Sequence, residues 1–156
     1  MAAQALDQRF ASAQVSVSRR LGGSLGVGII FQDPKGGATR RIGYVSQDDQ
    51  IESAVYAAVI RALEEAADAR VVGLTLYLDQ PSLVDQLNRR VAVPPDLRPL
   101  FVMARCRANA LGRVRFEVGR PRQGFSARRL ARSPALDSQP VCADDDTPAL
   151  TLNLGE

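Results

Sequence analysis

"LTLYLDQPSLVDQLNRR" occupies residues 74–90. Leu74, Leu76 and Leu78 alternate with Thr75 and Tyr77, which is the two-residue period of a strand. The run "VVGLTLYL" (71–78) is apolar enough to predict burial on both faces. Pro81 then suits the first turn of a helix through Asn88, because that turn has no use for the N–H that proline lacks. Asp79 stands at the junction. A carboxylate at the end of a buried strand is costly unless something pairs with it, so the rest of the chain has to supply the partner.

The flanking segments define the architecture around that junction. "DDQIESAVYAAVIRALEEAADA" (48–69) predicts a helix capped by Asp48 or Asp49, with Ile51, Val55, Val59 and Leu63 forming one apolar stripe. A helix leading into a buried strand implies a right-handed crossover and a parallel pair. Before it, residues 13–18, 25–32 and 40–46 read as strands joined by the turns "RRLGGS" and "DPKGGA", an antiparallel meander. After the break "VAVPPD", residues 97–111 predict a helix anchored by Leu100, Val102, Met103 and Leu111. A fifth strand (113–119) and a short helix (126–133) follow. The expected order is β-β-β-α-β-α-α-β-α. Residues 1–13 form an extension, 14–136 a single domain, and 137–156 an acidic tail with an edge strand expected at 149–154 from its alternating leucines.

Composition narrows the chemistry. The 156 residues suffice for one domain with a core, and 46% hydrophobic content is that of a globular protein. No apolar run is long enough to span a membrane, and "MAAQALDQRF" lacks the features of a signal peptide, so the cytoplasm is expected. There is no histidine, which removes Ser-His-Asp and Cys-His catalysis and most zinc sites. Cys106 and Cys142 read as free thiols, with a bridge between them the alternative. The glycines of "GGSLGVG" lie in a hairpin turn and not in dinucleotide-binding order. Charge is uneven. Residues 89–132 carry twelve arginines against Asp96 and Glu117, whereas residues 133–156 carry five acids and no basic side chain. Such a split implies an anionic partner, masking by the tail, or both. Arginine-rich codon usage is the bland alternative, since Lys35 is the only lysine.

The element order, "GVGIIF" after a glycine turn, "YAAVIRALEEA", "LRPLF" and above all "LTLYLDQPSLVDQLNRR" resemble the bacterial ribonuclease HI-type branch of the ribonuclease H-like family. The resemblance implies an α/β fold with a mixed five-stranded sheet, a three-strand antiparallel meander plus two parallel strands, flanked by helices. It also implies cleavage of the RNA strand of RNA–DNA hybrids with two magnesium ions. Two divalent ions about 4 Å apart need several anionic oxygens around them. The family supplies about four acids, and Asp79 matches the one on the fourth strand. Ser18, Val55 and Arg128 stand where the other three are expected. Glu52, Asp85 and Glu117 are the acids from which a relocated site would have to be built.

No catalytic residue and no metal site are therefore expected, and Arg128 is the first choice of partner for Asp79. The expected function is that of a catalytically inactive ribonuclease H-like domain. It binds an RNA–DNA hybrid or another duplex through Arg105, Arg107, Arg113, Arg115, Arg120, Arg122, Arg128 and Arg129. No cofactor is needed, magnesium entering only if a nuclease with relocated acids holds. The alternative is a protein-interaction or self-assembly module, meeting a protein partner or a second copy at a sheet edge.

Overall fold

A computed structural model describes residues 12–32, 38–119, 127–137 and 140–144. Strands β1 (Ser12–Arg19), β2 (Leu25–Gln32) and β3 (Ala38–Ser46) form the meander, β1 and β2 pairing from Ser12↔Gln32 to Arg19↔Leu25. Helix α1 (Ile51–Asp68) crosses over to β4 (Gly73–Leu78), which lies parallel to β1. Helices α2 (Pro81–Leu87) and α3 (Arg98–Leu111) lead to β5 (Arg113–Val118), parallel to β4, and α4 (Ala127–Ala131) follows. The chain then returns as β6 (Val141–Asp144), antiparallel to β3.

Among the described residues the sheet therefore has six strands, in the order β5-β4-β1-β2-β3-β6. Five were expected, with an edge strand at 149–154. The sixth lies earlier, within the stretch read as acidic tail, and residues 149–154 lie outside the described residues. "VCAD" is too short and too mixed to signal a strand by itself; its pairing with Arg40–Gly43 makes it one.

The two faces of the sheet differ in chemistry. Ala13, Val15, Val27, Ile29, Phe31, Ile42, Leu74, Leu76 and Leu78 join the apolar sides of α1, α2 and α3 in one core. Each fully buried leucine or isoleucine there contributes about 1.5–3 kcal/mol. On the opposite face α4 lies directly on β2. A Cβ at Gly28 would sit 2.1 Å from the Ala127 carbonyl oxygen, and one at Gly26 would sit 1.9 Å from that of Ala131. Only glycine permits this approach.

Several local expectations are corrected. Gln50, not Asp48 or Asp49, is the N-cap of α1, and it makes no side-chain capping bond. Val102 and Met103 do not anchor α3; they are 55% and 48% exposed, and Ala104 and Ala108 form the buried side instead. The small residues let α3 approach α1 closely, with Leu100, Phe101 and Leu111 packed against the core beside them and Val102 and Met103 turned outward. Both cysteines are free and exposed. Among the described residues, no helix is long and apolar enough to cross a membrane.

Candidate functional site at Asp79

The β1–β4 register runs from Ser12↔Thr75 to Val15↔Leu78, so Ser16 comes next to Asp79 just beyond the end of β4. Alternation turns both residues away from the leucines of the core, toward the face that carries α4. Ser16 Oγ donates a 2.6 Å hydrogen bond to Asp79 Oδ2. From α4, Arg128 Nη2 comes within 3.6 Å of the same oxygen. The glycines of β2 make this third contact reachable, because they seat α4 against the sheet. The Asp79–arginine pair expected from the sequence is present, with Arg128 the partner.

The pair is partly solvated, the Asp79 and Arg128 side chains being 27% and 56% exposed. Water screens the ion pair to within about 0–1 kcal/mol. The hydroxyl bond to an ionised carboxylate contributes more, about 1.5–3 kcal/mol.

Ser16 was missed by sequence reasoning. The β1 residue beside Asp79 is Ser16 and not Ser18, which lies two residues further along, opposite Gly26. Spacing from the glycine turn pointed to Ser18, whereas the register with β4 is a long-range property that no local pattern reveals. Val55 is where the sequence put it, in the apolar stripe of α1, 4% exposed and part of the core. Next to it Tyr56 Oη donates 2.8 Å to Gln86 Oε1, and burial pushes this phenol up to about 12.

These residues do not fit a pair of divalent ions. The junction offers one carboxylate, one hydroxyl and a guanidinium, and a fixed positive charge opposes cation binding. Among the described residues, no group of three or more His, Cys, Asp or Glu side chains could hold a metal ion. Of the acids weighed for relocation, Glu52 is exposed on α1 and Asp85 pairs with Arg90 at 3.5 Å. Glu117 is exposed on β5 in register with Tyr77, on the same face as Asp79.

The eight arginines proposed from the sequence do not share one surface. Arg105 and Arg107 stand on α3, on the core side of the sheet. Arg105 bonds the Leu87 carbonyl and Asn109 and lies over the Phe116 ring, while Arg107 pairs with Glu64 at 3.1 Å. Arg113 and Arg115 are exposed along the outer strand β5, in register with Gly73 and Thr75. Arg128 and Arg129 are exposed on α4. Arg120 and Arg122 lie outside the described residues. Arg19 and Arg132 were not among the eight, and both are exposed close to α4, lining the same cleft at its C-terminal end.

Comparisons with known proteins agree with this architecture. The family model described as "Reverse transcriptase-like" matches residues 11–133. The chain is similar to RNase H1 from the halophilic archaeon Halobacterium salinarum, at 27% identity and TM-score 0.64, over 80% of this chain and 92% of that one. It is similar in fold to the N-terminal RNase H domain of a Mycobacterium tuberculosis protein, at 22% identity and TM-score 0.67, over 82% and 95% of the two chains. The same holds for LC11-RNase H1 in complex with an RNA/DNA hybrid, at 20% identity and TM-score 0.64, over 82% and 94%. No curated protein matches. With the family model spanning the meander, the Asp79 junction and α4, the chain belongs to the reverse transcriptase-like family and carries a ribonuclease H-like domain.

Proposed function

We propose that this domain binds duplex nucleic acid, an RNA–DNA hybrid first of all, without cleaving it. The observation that carries the reading is the contact of Arg128 with Asp79, the one acid that matches the family's cluster. Ser16 and Val55 offer no anionic oxygen, so metal-assisted hydrolysis has too few ligands to orient a water and stabilise a leaving group. Apart from Glu117, the exposed charges that β5 and α4 carry on this face are cationic. Arg113, Arg115, Arg128 and Arg129 stand on β5 and α4, where they suit phosphates and not metals. The solved hybrid complex of a similarly folded protein supports the choice of duplex.

The test is a pair of assays on one hybrid. Incubation with Mg²⁺ or Mn²⁺ should give no product above a protein-free control, while fluorescence anisotropy at low salt should show binding that weakens steeply as salt rises. Metal-dependent turnover that disappears in Asp79→Asn would overturn the inactive reading.

A second reading is pairing with a protein at a sheet edge. The two edges are not equivalent. The Gly119 N–H bonds the Leu78 carbonyl, so the odd-numbered amides of β5 face β4 and the Phe116 carbonyl faces outward. Asn88 Nδ2 takes up that carbonyl at 3.0 Å, which blocks strand addition there. Among the described residues the short β6 side is left for a partner strand, and light scattering across a concentration series would reveal self-association through it.

A further inference from the structure

We infer that the phosphate-binding locus is a cleft where the C-terminal end of α4 meets the β1–β2 turn, with Arg129, Arg132 and Arg19 as its cationic groups and a nucleic-acid phosphodiester backbone as its ligand. The inference rests on the nucleic-acid reading above and assigns it a place. Two adjoining open clefts carry it. One, of about 500 Å³, is lined by Arg128, Arg129, Arg132, Ser133 and Pro134. The other, of about 540 Å³, shares Arg132 and Pro134 and adds Arg19, Arg20, Leu21 and Asp137. Each is in the size range of ligand sites.

The charge balance decides what fits. Among the described residues three acids lie near this surface: Asp137 and Asp79 are each engaged by an arginine, and Asp49 stands beside Arg19, which donates to its backbone carbonyl at 3.5 Å. Arg20, whose side chain is only 8% exposed, pairs with Asp137 and donates 2.8 Å to the Ser133 carbonyl. This strap fixes the turn against the end of α4 and removes Asp137 as a competitor for anions. Arg128 stands against Asp79 in the same way. Arg129 and Arg132 follow at helical spacing on one side of α4, both exposed, and no acidic side chain among the described residues pairs with them. Arg19 reaches in from the turn, held by the Gly23 carbonyl at 3.0 Å. Leu21, fully exposed at the tip of the turn, places an apolar side chain beside the guanidinium groups. A phosphate with an attached sugar and base matches that combination better than a free anion does.

The sequence pattern pointed to residues 105–132 as one positive block. The fold instead removes Arg105 and Arg107 to the other face and brings in Arg19 from the far end of the domain.

The experiment compares full-length proteins by anisotropy on a fluorescein-labelled RNA–DNA hybrid, with free fluorescein-labelled nucleotide as a second probe. Arg129→Gln/Arg132→Gln should weaken hybrid binding at least about tenfold and lower the slope of log K against log salt by about 2, one contact per arginine. Arg70→Gln/Arg98→Gln removes the same charge at exposed positions on the core side and should leave affinity within about twofold. All variants alter exposed side chains, and equal melting temperatures would establish that they fold. Equal losses in both double variants would reduce the effect to net charge and overturn the assignment. Unchanged binding in Arg129→Gln/Arg132→Gln beside a wild type that binds would overturn it while leaving the nucleic-acid reading intact. A wild type that fails to bind at low salt would remove both.

Discussion

Ser16 Oγ and Asp79 Oδ2 are 2.6 Å apart, linked across two parallel strands by a hydrogen bond that sets a hydroxyl donor against the carboxylate. A hydroxyl satisfies a carboxylate and neutralises nothing, so the remaining charge is met by Arg128. The three residues form a small polar lock between β1, the end of β4 and α4. The same three positions would have to be anionic to hold metal.

That arrangement predicts a divalent-ion response that can be installed. In Ser16→Asp/Arg128→Asn the second carboxylate is placed beside the first and the guanidinium is removed. Without divalent ions the two carboxylates should repel, lowering stability by about 1–3 kcal/mol, since each pKa unit of mutual shift corresponds to about 1.4 kcal/mol. Millimolar Mg²⁺ or Mn²⁺ should restore much of the lost melting temperature by binding the folded form. The wild type should not respond. Equal metal-dependent stabilisation of the wild type in scanning fluorimetry would mean that the site is already a cation site.

Gly28→Ala tests what seats α4. The added methyl would meet the Ala127 carbonyl oxygen at 2.1 Å, and backbone cannot swing away as a flexible side chain can. Relief requires α4 to lift from β2. Overpacking of this kind costs about 1–3 kcal/mol, and the upper part of that range is expected here. Urea unfolding should show the loss. Because α4 carries Arg128 and Arg129 and leads directly into Arg132, hybrid affinity should fall with it even where the variant is still folded.

Much of this architecture is legible in the sequence for physical reasons, and the exceptions are as specific. The meander, α1 and β4 follow from short-range periodicity that burial then enforces, as with Val55 and Val59 on α1. The contact of Asp79 with Arg128 followed from the resemblance, which puts Arg128 where the family has an acid on its last helix. Ser16 did not, because its role is set by a strand register between distant segments. On α3, Leu100 and Leu111 pack against the core as expected, whereas Val102 and Met103 were misread because hydrophobicity ranks them above Ala104 and Ala108, although close helix approach favours the alanines. The strand β6 was hidden because four mixed residues acquire strand geometry only from β3.

Alkaline pH should find the Tyr56 hydroxyl. It is 1% exposed, hydrogen-bonded to Gln86, and held up to about 12 by burial against an ordinary value of 10.0. The folded state therefore keeps its proton where the unfolded state loses it. This contribution to stability is complete below pH 10 and is lost progressively as pH rises toward 12. Tyr56→Phe should lack that part of the pH dependence. It should also be less stable at neutral pH by about 1–3 kcal/mol, because the Gln86 carbonyl loses its donor. Identical stability profiles for the two proteins between pH 9 and 12 would show that another group controls the alkaline limb.

The acidic C-terminal stretch was expected to mask the arginines, and the position of β6 changes what its removal should do. Asp144 pairs in register with Arg40, near the start of β3. The turn that carries Arg19 lies toward the other end of the strands, where Leu25 pairs with Ser46. The backbone at Asp144 thus lies along the sheet away from the cleft at Arg132, and on the opposite edge of the sheet from Arg113 and Arg115. Competition with phosphates depends on local concentration, which falls once the competing group is tied elsewhere. Two truncations separate masking from structure. Removing residues 145–156 keeps β6 and should change hybrid affinity at low salt by less than about twofold, because Asp145 and Asp146 follow directly on Asp144 in the chain and charge beyond a Debye length is screened. Removing residues 138–156 also takes away β6, uncovers the β3 edge and should lower the melting temperature and promote association. If the shorter truncation instead tightens binding about tenfold and the gain vanishes at high salt, the acids beyond β6 reach the arginine cleft and the tail is a mask after all.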